Sequence, residues 1–335
     1  MEILKNILIR RYTHEDHPKV LELVRAVYNE GVYKKAVQRF QWQYEQNPNN
    51  LPEDPVIFVS EDDNNIVGMV GTFAQKVKIG NSIYPAYWVG DFMVHPDYRR
   101  GYHGINLAKE LSAQPYLMMG FPADNTLNLW NRLKWVQFSQ LVEYSRTFRF
   151  FDRLIGPLGI KNPKKIQIID VEYFDERFDR LWLKASKDYT NIQVRDSRFL
   201  NWRFFKCPHI SYRVLGAVST NEVLGYIVVR DKKYEGYHEG IIVDMFTDRS
   251  NSAVMTALLE AGVSTLKTIG CQAIKMMVSS DDKMLNDTLR KNFSLVSEKK
   301  EQGLFINNTG NGLDSIIKGP HNWFLTKTDS DMDFS

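Results

Sequence analysis

The chain has 335 residues, enough for two domains of ordinary size. Hydrophobic residues make up 43% and charged residues 25%, as in globular proteins, and a net charge of +3 is too small to indicate nucleic acid or an anionic membrane as partner. Its two cysteines, Cys207 and Cys271, exclude a disulfide framework and indicate a reducing compartment.

The sequence pattern gives no sign of export or membrane insertion. No apolar run approaches the roughly 18 residues of a membrane span, and residues 1–6 lack the basic start and apolar core of a signal peptide. The seven histidines show no metal-ligand spacing. We therefore expect a cytoplasmic protein with no membrane span, no nucleic-acid partner and no metal site. The sequence leaves the oligomeric state open.

The first half of the chain alternates strand and helix patterns. Thr13 is placed to cap a helix whose apolar residues, from Val20 to Val27, recur at helical spacing. The turn Asp62-Asp63-Asn64-Asn65 between two β-rich runs predicts a hairpin. Strands are predicted at 7–11, 56–60, 66–73, 116–121 and from 135, and further helices at 37–46 and 125–133.

The second half repeats this order of elements without a visible residue-level repeat. Residues 151–165 carry two prolines and two glycines and are the best linker candidate. Strands are predicted at 166–171, 212–218, 223–229, 240–245, 272–278 and 303–306, and helices at 176–187, 197–205, 252–266 and 281–290. Two α/β domains of similar topology are the simplest account.

The stretch 87–112 carries the strongest functional signal. It reads as a strand, then a basic glycine-containing turn over residues 99–104 (Arg-Arg-Gly-Tyr-His-Gly), then a helix. Backbone N–H groups at the start of a helix bind phosphate groups. The turn therefore predicts a phosphate-bearing ligand.

This stretch resembles the GCN5-related N-acetyltransferases, the GNAT superfamily. Those proteins carry Val-x-Pro-x-x-Arg, then a [Gln/Arg]-x-x-Gly-x-[Gly/Ala] loop, then a helix with leucines. Here residues 94–99 read Val-His-Pro-Asp-Tyr-Arg, residues 100–104 read Arg-Gly-Tyr-His-Gly, and the helix carries Leu107 and Leu111. Residues 120–125 also resemble the strand end and asparagine that precede the family's last helix.

The resemblance covers the N-terminal half, and the C-terminal half shares only the order of elements. It implies an α/β fold of two tandem GNAT-like domains, each with a mixed, mostly antiparallel central sheet flanked by helices. We place the domains at 1–150, with the cofactor loop, and at 151–335, without it.

The resemblance also implies acetyl-CoA as acyl-donor cosubstrate. Its pyrophosphate would lie on the backbone of the turn, and its pantetheine arm would bond to the preceding strand as an added strand does. The cofactor-binding residues so implied are Met93, Val94, Arg99, Arg100, Gly101, Tyr102, His103, Gly104 and Asn125. Tyr102 stands where the family has its first glycine, so either its side chain points away from the phosphates or the loop shifts to use Gly101.

Asp91 is the candidate catalytic base. It lies three residues before Val94, where several members of the resembled family carry a catalytic glutamate. An acceptor ammonium with a pKa of about 10.4 must lose a proton before it attacks a thioester, and a positioned carboxylate helps to remove it. The alternative is that Asp91 caps a turn or binds the acceptor without proton transfer.

The general acid has no clear candidate. The family often has a tyrosine in its last helix, where this chain has Trp130, and an indole cannot protonate a thiolate as a phenol can. Water, Tyr102 and Tyr144 remain as proton sources. Ordinary packing is the expected role of Trp130.

The second half lacks a glycine-rich loop at its equivalent strand and turn, where Asp248 adds the wrong charge for a phosphate. We expect it to shape the acceptor pocket or to bury an interface. The aromatic and basic run 199–205 is expected to pack in the core rather than to form a platform for sugar or nucleic acid. The acidic tail, with Asp329, Asp331 and Asp333, reads as a solvated terminus or as a contact for a cationic acceptor.

These observations predict an acetyl-CoA-dependent N-acyltransferase that transfers an acetyl group directly to a primary amine of a small molecule, such as an amino sugar. Two other classes remain open. One is a non-catalytic binding module with the GNAT fold, which the Tyr102 and Trp130 departures favour. The other is a Fem-type aminoacyl-tRNA-dependent transferase, which the fair loop and the lack of a long heptad pattern disfavour.

Overall fold

The computed structural model describes residues 7–148, 166–249, 251–292, 297–308 and 322–334. They form a mixed α/β protein built on one continuous, mostly antiparallel sheet with helices against it. The predicted fold class is therefore confirmed. Within these residues, no helix is long and apolar enough to cross a membrane.

The first half contributes six strands and four helices. Its strands are β1 (Leu8–Arg11), β2 (Ile57–Asp62), β3 (Asn65–Ile79), β4 (Ser82–Val94), β5 (Leu117–Gly120) and β6 (Val136–Thr147). Its helices are α1 (His17–Val27), α2 (Glu30–Phe40), α3 (His103–Ser112) and α4 (Leu127–Arg132). A single π-helical turn, Gln41–Glu45, continues α2.

The second half has a similar order of strands and helices, with eight strands among the described residues. They are β7 (Gln167–Val171), β8 (Asn191–Gln193), β9 (Arg213–Ser219), β10 (Glu222–Tyr234), β11 (Tyr237–Thr247), β12 (Ala273–Ser279), β13 (Ser297–Asn308) and β14 (Trp323–Phe324). The helices are α5 (Glu176–Ala185), α6 (Ser197–Leu200), α7 (Ser252–Thr268) and α8 (Lys283–Asn292). A π-helical turn, Asn201–Phe205, again continues the helix before it.

The two halves exchange strands at the centre of the sheet. The strand order is β1-β2-β3-β4-β5-β13-β6-β12-β11-β10-β9-β7, so β13 lies between β5 and β6. Strand β6 in turn pairs with β12 of the second half. Neighbouring strands are antiparallel except at β4–β5 and β11–β12, and at the short β8–β14 pair outside this order. Each half therefore completes the sheet of the other.

Local sequence signals located most elements correctly. The predicted hairpin turn lies at Asp63 and Asn64, both with positive φ, which these residue types tolerate. The second helix begins at Glu30 rather than near Val37, because Asn29 caps it by accepting a hydrogen bond from the Val32 N–H. Strands β8 and β14 were not predicted, and the linker candidate 151–165 lies outside the described residues.

A reciprocal tryptophan pair joins the halves. Trp42 and Trp202 each lie in a π-helical turn, and their rings stack 4.5 Å apart. The Trp42 Nε1–H donates to the Trp202 carbonyl at 3.0 Å, and the Trp202 Nε1–H donates to the Trp42 carbonyl at 3.1 Å. Both side chains are buried, so each indole satisfies the other's backbone.

The C-terminal segment, residues 322–334, packs against the cores of both halves. Trp323 and Leu325 pack in the core of the first half, whereas Phe324 and Phe334 pack in that of the second half. Successive side chains of a strand point to opposite faces, which explains the alternation at 323–325. The segment is therefore a structural part of both halves.

We predict that Trp202→Phe lowers the free energy of unfolding by about 1–3 kcal/mol, because it leaves the buried Trp42 carbonyl without a donor. Urea denaturation measures this. Tyr173→Phe, at a side chain that is 65% exposed, is the control and is expected to change little. An equal, small effect of both variants would contradict the role of the tryptophan pair.

Candidate functional site

A bulge in β4 places Asp91. Met93 pairs with Met69 and Gly90 with Gly71, so β4 has one more residue than β3 between these two pairs. Asp91 has φ of 39°, a conformation that aspartate adopts more readily than most residues. The bulge redirects this side chain out of the regular alternation of the strand.

The Asp91 carboxylate is held by two side chains of the α2 segment. Arg39 Nη2 donates to its Oδ1 at 2.5 Å, and the Tyr44 hydroxyl donates to its Oδ2 at 2.6 Å. Gly71 makes room for this, because a Cβ there would lie 2.6 Å from the Tyr44 hydroxyl oxygen. Burial and the Asp91 charge raise the pKa of Tyr44 well above its usual value, so the phenol remains a donor.

The C-terminal segment brings a second carboxyl group to the same place. Gly90 permits its approach, since a Cβ there would lie 3.2 Å from Asp331 Oδ2. Burial, followed by the negative charge of Asp91, raises the pKa of Asp331 to about 6, and Arg39 offsets only part of this. Asp331 makes no ion pair within the described residues, in contrast to Asp91.

Two cavities meet at these carboxyl groups. The larger, of about 570 Å³, lies between α1, α2, β4 and the C-terminal segment. The smaller, of about 300 Å³, lies where β4 and β5 diverge, between residues 89–92 and 120–126. Asp91, Phe92 and Asp331 line both. A ligand in one cavity therefore meets a ligand in the other beside Asp91 and Asp331.

The smaller cavity has an open backbone edge. Strands β4 and β5 pair only from Ala86 to Trp88, and beyond that point their edges separate. Asn125 lies across this gap, at the start of the last helical segment of the first half. An unpaired strand edge accepts an extended ligand by main-chain hydrogen bonds.

The basic turn, residues 99–104, leads into α3 and leaves backbone N–H groups available to a ligand. Tyr102 is 63% exposed, so its ring points into solvent, which is one of the two arrangements that the sequence left open. The first helical hydrogen bond runs from the Asn106 N–H to the Tyr102 carbonyl. The N–H groups of residues 103–105 are therefore those that a helix start leaves without helical partners.

His103 faces inward. Its Nδ1 lies 2.6 Å from the Ser60 hydroxyl, its ring packs edge-on against Tyr98, and burial lowers the pKa of the imidazole. The Tyr98 hydroxyl in turn donates to Asp62. The His103 side chain therefore points into the protein, and its backbone N–H is the group that can serve the predicted cofactor site.

The other predicted cofactor residues are distributed around the loop and β4. Arg99 and Arg100 are exposed, and Arg99 Nε donates to the Val94 carbonyl at 3.2 Å. Met93 lines the larger cavity rather than the smaller one. Gly101 and Gly104 lie beside the helix start, where a Cβ at Gly104 would meet only ordinary contacts. The smaller cavity is instead lined by β4 residues 89–92.

No described residue that lines the smaller cavity is a tyrosine. Trp130 packs edge-on against Trp135 and Phe92 and is buried, which fits the expected packing role. Tyr144 is buried elsewhere, where its hydroxyl donates to Asn286. Neither Tyr102 nor Tyr144 lines either cavity, so the structure does not support them as proton donors.

The second half contains a closed counterpart of this site. Asp244 lies directly after Val243, the bulged residue of β11, and it accepts hydrogen bonds from Arg195 and from the Tyr226 hydroxyl. It is fully buried, and Thr326 also donates to it. Where a cofactor loop would follow, Asp248 pairs with Lys184.

Sequence reasoning named Asp331 only as part of an acidic tail that could contact a cationic acceptor, and it missed Arg39 and Tyr44 as site residues. One signal pointed to the last two: Trp42 precedes Pro48 by six residues, and Trp202 precedes Pro208 by the same distance. This repeat marks equivalent turns in the two halves, and in the first half the turn carries the partners of Asp91. No local pattern indicates that Asp331 lies beside Asp91, because the two residues are 240 positions apart in the sequence.

Comparisons with known proteins show what the sequence and the fold resemble. The sequence model of the acetyltransferase (GNAT) domain matches residues 8–118, which contain β4, the basic turn and α3. No curated protein sequence matches the chain significantly.

Solved structures share the fold across most of the chain. A conserved protein of unknown function from Enterococcus faecalis V583, named a probable N-acyltransferase, has a TM-score of 0.65 at 14% identity. A GCN5-related N-acetyltransferase from Anabaena variabilis ATCC 29413 has a TM-score of 0.63 at 10% identity. Each match covers 90% of this chain and 72% of the other. Another, from Kribbella flavida, has a TM-score of 0.58 at 12% identity and covers 90% of this chain and 70% of that one. At these identities the likeness establishes the fold.

We predict that Asp331→Asn stabilises the protein at pH 8 by at most about 3 kcal/mol and has little effect below pH 4. The pKa of Asp331 in the folded protein, about 6, lies above its ordinary value of 3.8. As the pH rises, Asp331 therefore loses its proton in the unfolded chain before it does so in the folded protein. Above pH 6 this difference lowers the free energy of unfolding by its full amount. Urea denaturation at both pH values measures the difference. Destabilisation at pH 8 would contradict the raised pKa.

Proposed function

We propose that this protein, whose residues 8–118 match the sequence model of the GNAT acetyltransferase domain, is an acyltransferase. It transfers an acetyl group from acetyl-CoA to a primary amine of a small molecule. The observation that carries the proposal is the meeting of two cavities at Asp91 and Asp331. One cavity adjoins the cofactor side of the domain, and the other is open to an acceptor. Two ligands that must react are thereby brought together at groups able to accept a proton.

The smaller cavity and the basic turn are the proposed cofactor side. The unpaired edges of β4 and β5 suit an extended pantetheine arm, with Asn125 across the gap. The N–H groups at the start of α3 suit the pyrophosphate, and Arg99 and Arg100 add positive charge there. Met93 and Val94 stay predicted contacts of the arm. When bound, acetyl-CoA supplies a thioester whose C–S bond breaks as the amide C–N bond forms.

The larger cavity is the proposed acceptor side. Its volume of about 570 Å³ suits a small molecule of amino-sugar size. The second half and the C-terminal segment contribute to its wall through Lys232, Asp331 and Phe334. This supports the expectation that the second half shapes the acceptor pocket.

Asp331 is the proposed proton acceptor, and Asp91 the residue that binds and orients the acceptor ammonium. Asp91 already accepts hydrogen bonds from Arg39 and Tyr44, one on each carboxylate oxygen, which hold the group in place. Asp331 has a raised pKa and no ion pair within the described residues, so it takes up a proton more readily. This assignment replaces Asp91 as base, the role that the sequence suggested.

Asp331 also offers a route for the proton on the donor side. An acceptor that binds as an ammonium releases one proton to solvent before it attacks. Because Asp331 lines both cavities, the second proton, which it accepts from the nitrogen as the amide forms, can be returned to the leaving thiolate. A carboxylic acid with a pKa of about 6 is a stronger acid than a thiol, whose usual pKa is about 8.5. This arrangement makes a tyrosine acid beside Trp130 unnecessary.

We predict that Asp331→Asn binds acetyl-CoA as the unaltered protein does but loses about 10²–10⁴-fold in kcat. Calorimetry at near-millimolar protein measures binding, and thiol release measures turnover. In the unaltered protein, kcat/KM should fall below pH 6 as Asp331 takes up a proton, and this limb should vanish in the variant. Asp91→Asn should raise KM for the amine more than it lowers kcat.

The matched control is Asp170→Asn, which removes an exposed carboxylate on β7 and should leave both binding and turnover unchanged. Absence of any heat with CoA or acetyl-CoA would end the proposal of a CoA-dependent transferase. Full turnover of Asp331→Asn would instead show that Asp331 is not the base.

A further inference from the structure

The larger cavity carries charges of both signs in separate places. Asp91 and Asp331 lie where it joins the smaller cavity. Lys35 of α2 and Lys232 of β10 line it as well, although they come from different halves of the protein. An acceptor in this cavity therefore meets carboxylates at one position and ammonium groups at another.

The lysine position is a locally cationic environment. Burial lowers the pKa of Lys35, and the positive charges of Lys232, Arg230 and Arg39 lower it further. Within the described residues Lys35 forms no ion pair, whereas its neighbour Lys34 reaches Glu30 at 4.0 Å. Two cationic side chains brought together across a cavity are stabilised by an anion bound between them.

The wall between these positions is apolar. Val24, Met69, Phe92 and Met93 line the cavity along with the charged groups. An apolar wall holds the body of a ligand, and the few charged groups fix its orientation. A polycationic acceptor would be repelled by the two lysines, whereas an acceptor with an anionic group would be attracted to them.

We infer that the acceptor is an amine that also carries an anionic group, a carboxylate or a phosphate, which Lys35 and Lys232 bind while the amine lies at Asp91 and Asp331. The inference rests on the proposed function for the position of the amine. It goes further in assigning the second recognition element and the side chains that provide it.

Matched probe pairs test this inference. Glucosamine and glucosamine 6-phosphate differ by a phosphate, and 1-aminohexane and 6-aminohexanoate differ by a carboxylate. For each pair, calorimetry without acetyl-CoA measures binding, and thiol release from acetyl-CoA measures kcat/KM, both at about 0.15 M ionic strength to limit long-range effects. The two pairs also show which anion the lysines prefer.

In at least one pair, the anionic member should bind about tenfold tighter or more, as one charge-assisted contact allows. Lys35→Glu and Lys232→Glu should each abolish or reverse this preference. Lys34→Glu and Lys233→Glu make the same charge change on adjacent residues that do not line the cavity, and they should preserve the preference.

The outcomes separate this inference from the reaction. Thiol release at equal rates for both members of each pair would overturn the anion site and leave the transferase intact. An anion preference in binding, lost in Lys35→Glu, without any thiol release would support the site and count against the reaction. Absence of an anion preference in both pairs, or its loss in the Lys34→Glu control as well, overturns the inference.

Discussion

Buried ion pairs between arginines of the second half and aspartates of the C-terminal segment position the rest of the site. Arg195 Nη2 lies 2.9 Å from Asp329, and Arg230 Nε lies 2.7 Å from Asp333, with the side chains 6% exposed or less. Removing one partner of such a pair leaves an uncompensated buried charge, which costs about 3–5 kcal/mol. The segment is therefore held firmly on both sides of Asp331.

This anchoring explains how a carboxyl group with a raised pKa is kept in the structure. Asp329 and Asp333 have arginine partners, and Asp331, between them, is directed toward Asp91 and the two cavities. A group whose environment disfavours its charged form lowers stability, and such groups concentrate at sites that transfer protons. The neighbouring ion pairs fix the position of the segment on both sides of this group.

The two halves share an arrangement of aspartate, arginine and tyrosine, which is open to cavities in the first half and buried in the second. In each half an aspartate at a strand bulge accepts hydrogen bonds from an arginine and a tyrosine: Asp91 in the first half and Asp244 in the second. Asp244 is also covered by the C-terminal segment through Thr326, and it is fully buried. Asp91 remains open to both cavities. Within the described residues we therefore propose a single site, with a supporting role for the second half.

The sequence predicted what depends on short-range pattern. The hairpin at Asp63 and Asn64 and the strand, turn and helix around Gly101 follow from local backbone chemistry. It did not predict the insertion of β13 between β5 and β6, because strand pairing between distant segments has no local signal.

The acidic tail shows the same limit. Asp329, Asp331 and Asp333 alternate with polar and apolar residues, and such a run is commonly a solvated terminus. Only the arginines that meet it, supplied from residues 195–230, show that the segment is buried. Local resemblance therefore indicated a base on β4, and no local pattern indicated one near the end of the sequence.

The central claim is that Asp331 is a carboxyl group with a raised pKa, held at the meeting point of two ligand cavities. A titration of aspartate carboxyl carbons by ¹³C NMR, with the Asp331 resonance assigned through the Asp331→Asn variant, measures this directly. The account predicts a midpoint near pH 6 that moves down when Asp91 is replaced by Asn, since the Asp91 charge contributes to the shift. A midpoint at or below the ordinary value of 3.8, unaffected by Asp91→Asn, would contradict it.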